Sequence, residues 1–254
     1  MHITFWFSPL GKGDRPFIRL PRANLHAVSG MLYGLLPPER AAQAHDEGNS
    51  VDGRSMKLFA VSWLMAAAPP TFEEKLMQFP APVRLVVSTP LSLIWGGLVD
   101  GALNRDEIRL GNNLIRCDGA ETEQQVAEQN MIIRTLSPIT CYRTEPADPR
   151  APKHYTHYFS PGDFEFGDLL NSNLLRKFRA LYPGQSVPSG IVKLTPLGTP
   201  RERVSLYEPK SKFPIKGWSG RFRIEGPREL LQVALDCGLG AGNSRGWGCV
   251  SKEE

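Results

Sequence analysis

"GPRELLQVALDCGLGAGNSRGWGCV", residues 226 to 250, holds a helical stretch, a glycine-rich loop and a short strand-like end, in that order. Pro227 suits a first helical turn, and Leu230, Leu231, Ala234 and Leu235 recur at helical spacing. The pattern predicts a helix over 227–238 with Gly238 as its stop. Five glycines then fall within the eleven residues 238–248. Such bare backbone lets N–H groups approach an anion closely. Context excludes the two commonest phosphate loops. A dinucleotide-binding G-x-G-x-x-G opens a helix, so that the positive helix N-terminus meets the pyrophosphate. Here the loop follows a helix, whose C-terminus carries partial negative charge. No Gly-Lys-Ser/Thr follows either, so no nucleotide cofactor is expected.

Working outward, the final helix and "WGCV" close a repeated order of elements. In the second half, "NMIIRTLSPITCYR" and "HYTHYFS" read as strands, and "GDFEFGDLLNSNLLRKFRALYP" as a helix. That helix carries Leu169, Leu170, Leu174, Phe178 and Leu181 on one face. "SGIVKLTPL" and "RVSLYEPKSKFPIKGWSGRFRIEG" are strand-like. The first half runs in the same order. "HITFWF" is a strand, "NLHAVSGMLYGLL" a helix capped by Asn24, and "PPERAAQAH" a short helix. "LFAVSWLM" and "VRLVVS" are strands, "TPLSLIWGGLVDGAL" is a helix capped by Thr89, and "EIRLGNNLIRC" is a strand. Two β-α-β-β-α-β units imply an α+β fold of two tandem ferredoxin-like domains, over 1–122 and 128–254, joined within "GAETEQQVAEQ". No sequence repeat accompanies the duplication. The fold is shared by many RNA-binding modules, but the aromatic signature of RNA-recognition motifs is not visible.

The chain has 254 residues, 41% of them hydrophobic and 22% charged, as in ordinary soluble proteins. No apolar run approaches membrane-spanning length, and "MHITFWFSP" lacks the pattern of a signal peptide. Cys117, Cys141, Cys237 and Cys249 form no C-x-x-C pair, which suits reduced thiols in a cytoplasm and offers no zinc site. The net charge of +4 is unevenly placed. Residues 1–190 hold 19 Lys/Arg against 19 Asp/Glu, whereas residues 191–223 hold eight against two. This basic stripe contains Lys210, Lys212, Lys216 and Arg221, and it has the footprint of a polyanion-binding surface. A solvated face is the bland alternative.

Taken together, the sequence resembles the CRISPR-associated endoribonucleases that cut precursor CRISPR RNA within each repeat, the sixth Cas protein family of the repeat-associated mysterious protein superfamily. "GMLYGLL", "AHDEG" and "KLFAVSWLM" are similar to the family's first helix, second helix end and following strand. "RTLSPI" and "YFSPGDFEFGDLLNSNLLRKF" resemble segments of its second domain. "SKFPIKGWSGRFRIEGPRELLQVALDCGLGAGNSRGWGCV" resembles its C-terminal signature. Each piece is weak singly, but their order spans nearly the whole chain.

The resemblance implies that the glycine loop packs along an RNA backbone, with Gly240 and Gly246 close to the strand and Asn243, Ser244 and Arg245 as donors. Trp247 reads more readily as core than as a base-stacking platform. The implied activity is antiviral crRNA maturation without metal or cofactor. The RNA's own 2′-hydroxyl attacks the phosphorus, leaving a 2′,3′-cyclic phosphate and a 5′-hydroxyl. Such a site needs a proton acceptor, a proton donor and a cation. Tyr33, His45 and Lys57 fall where the family's catalytic residues lie. His45 ends a helix, where the dipole favours its protonated form. The stretch "DEGNSVDGRSM" ahead of Lys57 keeps Arg54 as a substitute cation. His26, seven residues before Tyr33 on nearly the same helical face, is a second acid–base candidate ranked behind His45. Asp46 and Glu47 point apart and form no metal pair, and His154 and His157 read as packing residues. The implied partner is a precursor CRISPR RNA repeat, with interference-complex subunits or a second copy of the chain left open and no membrane. The alternative from another class is a non-catalytic repeat-binding subunit.

Overall fold

The computed structural model describes residues 1–10, 17–42, 49–51, 54–146 and 154–253, the side chains of 42, 49–51, 54 and 55 excepted. The first half contains β1 (His2–Pro9), β2 (Phe17–Pro21), α1 (Leu25–Leu35), α2 (Pro38–Ala42), β3 (Asn49–Val51), β4 (Arg54–Met56) and β5 (Ala60–Val61). It continues with β6 (Met65–Ala66), β7 (Thr71–Glu73), β8 (Leu76–Pro80), β9 (Val83–Ser88), α3 (Ser92–Leu103), β10 (Ile108–Leu110) and β11 (Asn113–Glu123). The second half contains β12 (Asn130–Thr135), β13 (Cys141–Pro146), β14 (His154–Phe159), α4 (Phe164–Leu181) and β15 (Lys193–Pro196). It ends with β16 (Arg201–Ser205), β17 (Ile215–Ser219), β18 (Arg221–Glu225), α5 (Arg228–Cys237) and β19 (Val250–Lys252).

Alternation decides the first sheet. Ile3, Phe5 and Phe7 of β1 and Val83, Leu85 and Val87 of β9 all point to one face and are fully buried. Against them pack Val28, Leu32 and Leu35 of α1 and Ile94, Leu98 and Ala102 of α3. The strand order is β10-β11-β1-β9-β5, every pair antiparallel, with β6 also on β9. The second sheet, β15-β18-β12-β19, is likewise antiparallel. Its Met131, Ile133, Phe222 and Ile224 meet Leu170, Leu174 and Phe178 of α4 and Leu230, Leu231 and Ala234 of α5. The molecule is a mixed α+β protein of antiparallel sheets with helices on one face of each.

Satellite elements flank this frame: the three-stranded β2-β8-β7 sheet and the hairpins β3-β4, β13-β14 and β16-β17. The β3-β4 hairpin of the first half packs against α4 of the second.

Several local expectations are corrected. "LFAVSWLM" is not one strand. Ser62 breaks it, its N–H donating to Val86 O at 2.8 Å and its Oγ accepting the Val86 N–H at 2.8 Å. "EIRLGNNLIRC" is a hairpin rather than a strand, turning at Gly111, which sits at φ +59°. The second strand of that hairpin runs on to Glu123, into the stretch read as the connection. Asn24 occupies the N-cap position but makes no side-chain cap, because its amide turns back to donate to Pro21 O. Helix α3 starts at Ser92, and the Thr89 hydroxyl instead donates to Leu58 O while accepting the Leu91 N–H. "NMIIRTLSPITCYR" divides into β12 and β13, and "WGCV" contributes only Val250 to the last strand.

Candidate nucleic-acid interface

The glycine loop leaves α5 through Gly238 at φ +77° and is folded against the protein on nearly every side. Asn243 pins it from within, its Nδ2 donating to Leu239 O and Trp247 O, each at 3.0 Å. Trp247 is wholly buried, and the Trp63 ring stands edge-on to it at 5.7 Å. The Trp63 indole N–H donates to Gly246 O at 2.8 Å. From the helix side, Lys177 of α4 is fully buried and donates to Gly238 O at 2.7 Å and Gly240 O at 3.4 Å. Burial pushes the Lys177 ammonium down to about 8, and the nearby Cys237 and Cys141 partly oppose that shift. Burial likewise pushes the Cys141 and Cys237 thiols up to about 12.

Gly240 and Gly246 are buried against the chain itself, Gly240 also lining a cavity beside the loop. At Gly240 (φ +67°) an added Cβ would lie 2.4 Å from Thr140 O, and at Gly246 (φ +85°) it would lie 2.9 Å from Leu25 Cδ2. At Gly240 the backbone contact and the left-handed φ both favour glycine, and at Gly246, where Leu25 Cδ2 is the movable end of a side chain, the left-handed φ does so. Asn243 and Ser244 are buried, and the Ser244 carbonyl accepts from Ser29 Oγ at 3.4 Å. Arg245 alone among the predicted polar loop residues is exposed.

Helix α1 runs beside this loop. Its residues His26, Ser29 and Tyr33 are spaced to share a face. Near its start, exposed His26 meets Tyr207 edge-on at 5.5 Å and takes the Tyr207 carbonyl on its backbone N–H at 2.9 Å. The Arg245 guanidinium lies over the same Tyr207 ring, 5.7 Å from its centroid. Two turns on, Tyr33 packs edge-on against Phe59, and Lys57 Nζ sits 5.6 Å from the Tyr33 ring centroid. The structure thus brings Tyr33 and Lys57 together and sets His26 about 10 Å along the helix from Tyr33. His45, Asp46 and Glu47 lie outside the described residues, as does the Arg54 side chain.

Between the loop, α4 and the segment at Met56–Lys57 lies a cavity of about 370 Å³, at the small end of the range for ligand sites. Met56 and Lys57 line it from the first half, and Thr140, Tyr142, Asn173, Arg176, Lys177 and the loop residues Gly240–Arg245 from the second. Four cationic residues and no carboxylate face it among the described residues. Arg176, Asn173 and Thr140 were missed by sequence reasoning. One signal was present: Asn173, Arg176 and Lys177 put polar groups at helical spacing beside the apolar stripe of α4.

The basic stripe divides in two. Lys210 and Lys212 are exposed between β16 and β17, next to Phe213, which is 83% exposed. Lys216 pairs with Glu202 at 3.5 Å, and Arg221 with Glu253 at 2.6 Å. Of the remaining histidines, His2 is buried against Leu235 O, and burial pushes its pKa down. His157 lies 4.6 Å from the Phe159 ring on the β13-β14 hairpin.

Two antiparallel sheets, each backed by helices, thus accompany a cavity lined by Lys57, Arg176, Lys177 and Arg245. The family model "CRISPR associated protein Cas6, C-terminal" matches residues 121–252, and the chain belongs to the Cas6 family. It is 24% identical over 243 residues to "CRISPR-associated endoribonuclease Cas6 1" of Methanocaldococcus jannaschii, covering 94% of this chain and 89% of that one. Its fold is similar to that of a Cas6-related protein from Pyrococcus furiosus (18% identity, TM-score 0.79, covering 100% and 98% of the two chains). It is equally similar to a solved structure described as a RAMP protein binding different RNA substrates (17% identity, TM-score 0.79, covering 100% of both). No helix among the described residues is long and apolar enough to cross a membrane.

Proposed function

We propose that the protein is a metal-independent endoribonuclease that binds CRISPR repeat RNA and cuts the precursor by internal transesterification. In this reading residues 1–122 and 128–254 are tandem ferredoxin-like domains. Numbering each unit's paired strands in chain order, both sheets run 4-1-3-2, with β10 and β6 added to the first. The observation that carries the function is the groove itself, where Lys57, Arg176 and Arg245 meet the glycine loop, with Tyr33 against Lys57 and His26 farther along α1.

The chemistry follows from what such a groove supplies. Cations facing a phosphate stabilise the charge that builds on its oxygens as the 2′-hydroxyl attacks. Lys57 is assigned this role. A histidine takes the hydroxyl proton or returns one to the departing 5′-oxygen. His45 is assigned that role first, with His26 second. Tyr33 orients the attacking ribose. The Arg245–Tyr207–His26 group lies beside the loop, placed to hold the strand by charge and stacking.

Cleavage of repeat RNA in excess chelator, read by product ends, tests the proposal. The expected products carry a 2′,3′-cyclic phosphate and a 5′-hydroxyl, and a 2′-deoxy substitution at the cut abolishes them. A 5′-phosphate product or strict magnesium dependence overturns the mechanism, and binding without cutting leaves the non-catalytic subunit. His45→Ala is expected to lower the rate about 10²–10⁴-fold with affinity nearly intact, and His26→Ala to lower it less. The reverse order of effects moves the proton-transfer role to His26.

A further inference from the structure

Three side-chain atoms on one wall of the groove are buried without a hydrogen-bond partner: Thr140 Oγ1, Asn173 Oδ1 and Arg176 Nε. All three residues line the same cavity. Asn173 and Arg176 stand one turn apart on α4, and Thr140 closes the wall beside the loop, where its carbonyl accepts the Ala241 N–H at 2.9 Å. Buried polar atoms in folded proteins are overwhelmingly paired, so a convergent group of unpaired ones marks a place where the partner is something bound.

The donor and acceptor types specify that partner. Arg176 Nε–H offers a charge-assisted donor, the Thr140 hydroxyl a second, and Asn173 Oδ1 only an acceptor. With Lys57 and Arg245 on the same cavity, the ligand is an anion that carries a hydrogen-bond donor next to its charge. Free phosphate, as HPO4²⁻, satisfies the cations and has one P–OH for Asn173, whereas the phosphodiester of a nucleic-acid strand has no proton to give and leaves Asn173 to a neighbouring group. A ribonucleotide does both, through a phosphate oxygen and the neighbouring 2′-hydroxyl, the group that distinguishes RNA from DNA.

We propose that Thr140, Asn173 and Arg176 form a subsite for one nucleotide flanking the cut, with Arg176 and Thr140 on its phosphate and Asn173 accepting from its 2′-hydroxyl. This rests on the endoribonuclease reading and assigns to it a second point of ribose recognition, separate from the attacking hydroxyl. The trio are binding residues, not acid–base groups.

The test has two arms. Without RNA, Thr140→Val and Asn173→Leu remove an unpaired atom while keeping shape, so their melting temperatures equal or exceed that of the native protein. A structural role, or a site satisfied by water alone, predicts a lower melting temperature and overturns the proposal. With RNA, a repeat blocked against cleavage by a 2′-deoxy substitution at the cut is titrated against each protein. Arg176→Ala and Thr140→Val are expected to weaken binding about tenfold or more, while Arg109→Ala, exposed on the edge strand β10 and outside the cavity lining, binds as the native protein does. A second single 2′-deoxy substitution, scanned along the repeat, should weaken native binding at one flanking position and have no further effect on Asn173→Leu. A native protein that binds the repeat equally well with every second substitution, or variants that bind as tightly as native, overturns the subsite alone. A native protein that binds no repeat RNA overturns the functional reading along with it.

Discussion

Replacing Lys177 by methionine isolates the clamp on the glycine loop. The substitution keeps the length of the side chain and removes only its ammonium, so packing along α4 is nearly conserved. Two opposed quantities change. The Gly238 and Gly240 carbonyls lose their donor, which costs about 1–3 kcal/mol when a buried acceptor is left unpaired. Against this, the native chain carries a buried charge whose pKa falls from 10.5 to about 8. A lysine held below its unfolded value binds fewer protons folded than unfolded across that interval. Its contribution to stability therefore rises with pH between about pH 8 and 10.5, and is least below pH 8, where the charge is retained in both states. From pH 7 to pH 9 the rise amounts to about 1 kcal/mol. The buried thiols act in the opposite sense above their ordinary value of 9, because Cys141, Cys237 and Cys249 are pushed up to about 12 and keep their protons when folded. The useful quantity is accordingly the native-minus-variant difference, from urea unfolding at pH 7, 8 and 9. It should widen in favour of the native protein by about 1 kcal/mol across the series. A difference that stays flat, or narrows, shows that Lys177 is not a charge held in a dry clamp.

Two further outcomes follow from the loop and the stripe. Gly240→Ala forces φ +67° on a residue with a Cβ that meets Thr140 O at 2.4 Å, so urea unfolding should show a loss of about 2–4 kcal/mol; native-like stability with impaired RNA binding would return the loop to a direct contact. Replacing Lys210 and Lys212 together by alanine should flatten the log–log salt dependence of RNA binding by about 1.4, at roughly 0.7 per phosphate contact on a single strand, and an unchanged slope would leave that stretch an ordinary solvated surface.

The sequence made the frame legible wherever one element's own periodicity decided its structure. Alternation in "HITFWF" and "VRLVVS" and the heptad-like stripe of α4 predict their elements to within a residue or two. It was less legible where two distant segments negotiate a turn. Ser62 ends β5 by substituting its side chain for the ladder, and the next N–H, of Trp63, pairs with Leu136 O from the other half. In "LGNN" the turn signal Gly111-Asn112 was present but outweighed by the apolar residues around it. The site divides in the same way. Tyr33, Lys57 and Arg245 can be named as candidates from residue type and segment alone. Thr140, Asn173 and Arg176 matter only because α4 and the loop enclose the same space, which no local pattern encodes. Conversely, the glycines that suggested an anion cradle are explained by left-handed backbone and close packing before any ligand is considered.

The bonds that fix Trp63 have a mechanical side. Its indole holds Gly246 O, its amide holds Leu136 O, and one residue on, the Ser137 hydroxyl donates to Val61 O while accepting from the Cys249 amide. These are rivets across the seam between the two sheets, made largely through backbone that cannot reorient without unfolding a strand end. Domains joined by one flexible linker swing about it by default. Here the seam removes the hinge. On the proposed function, the groove is a fixed jaw whose gape is set before an RNA strand arrives, so the entropy of closing it is spent during folding rather than at binding. Adaptation, in that reading, falls to the RNA strand, which must find the groove's shape, and to exposed side chains such as Arg245 on its wall.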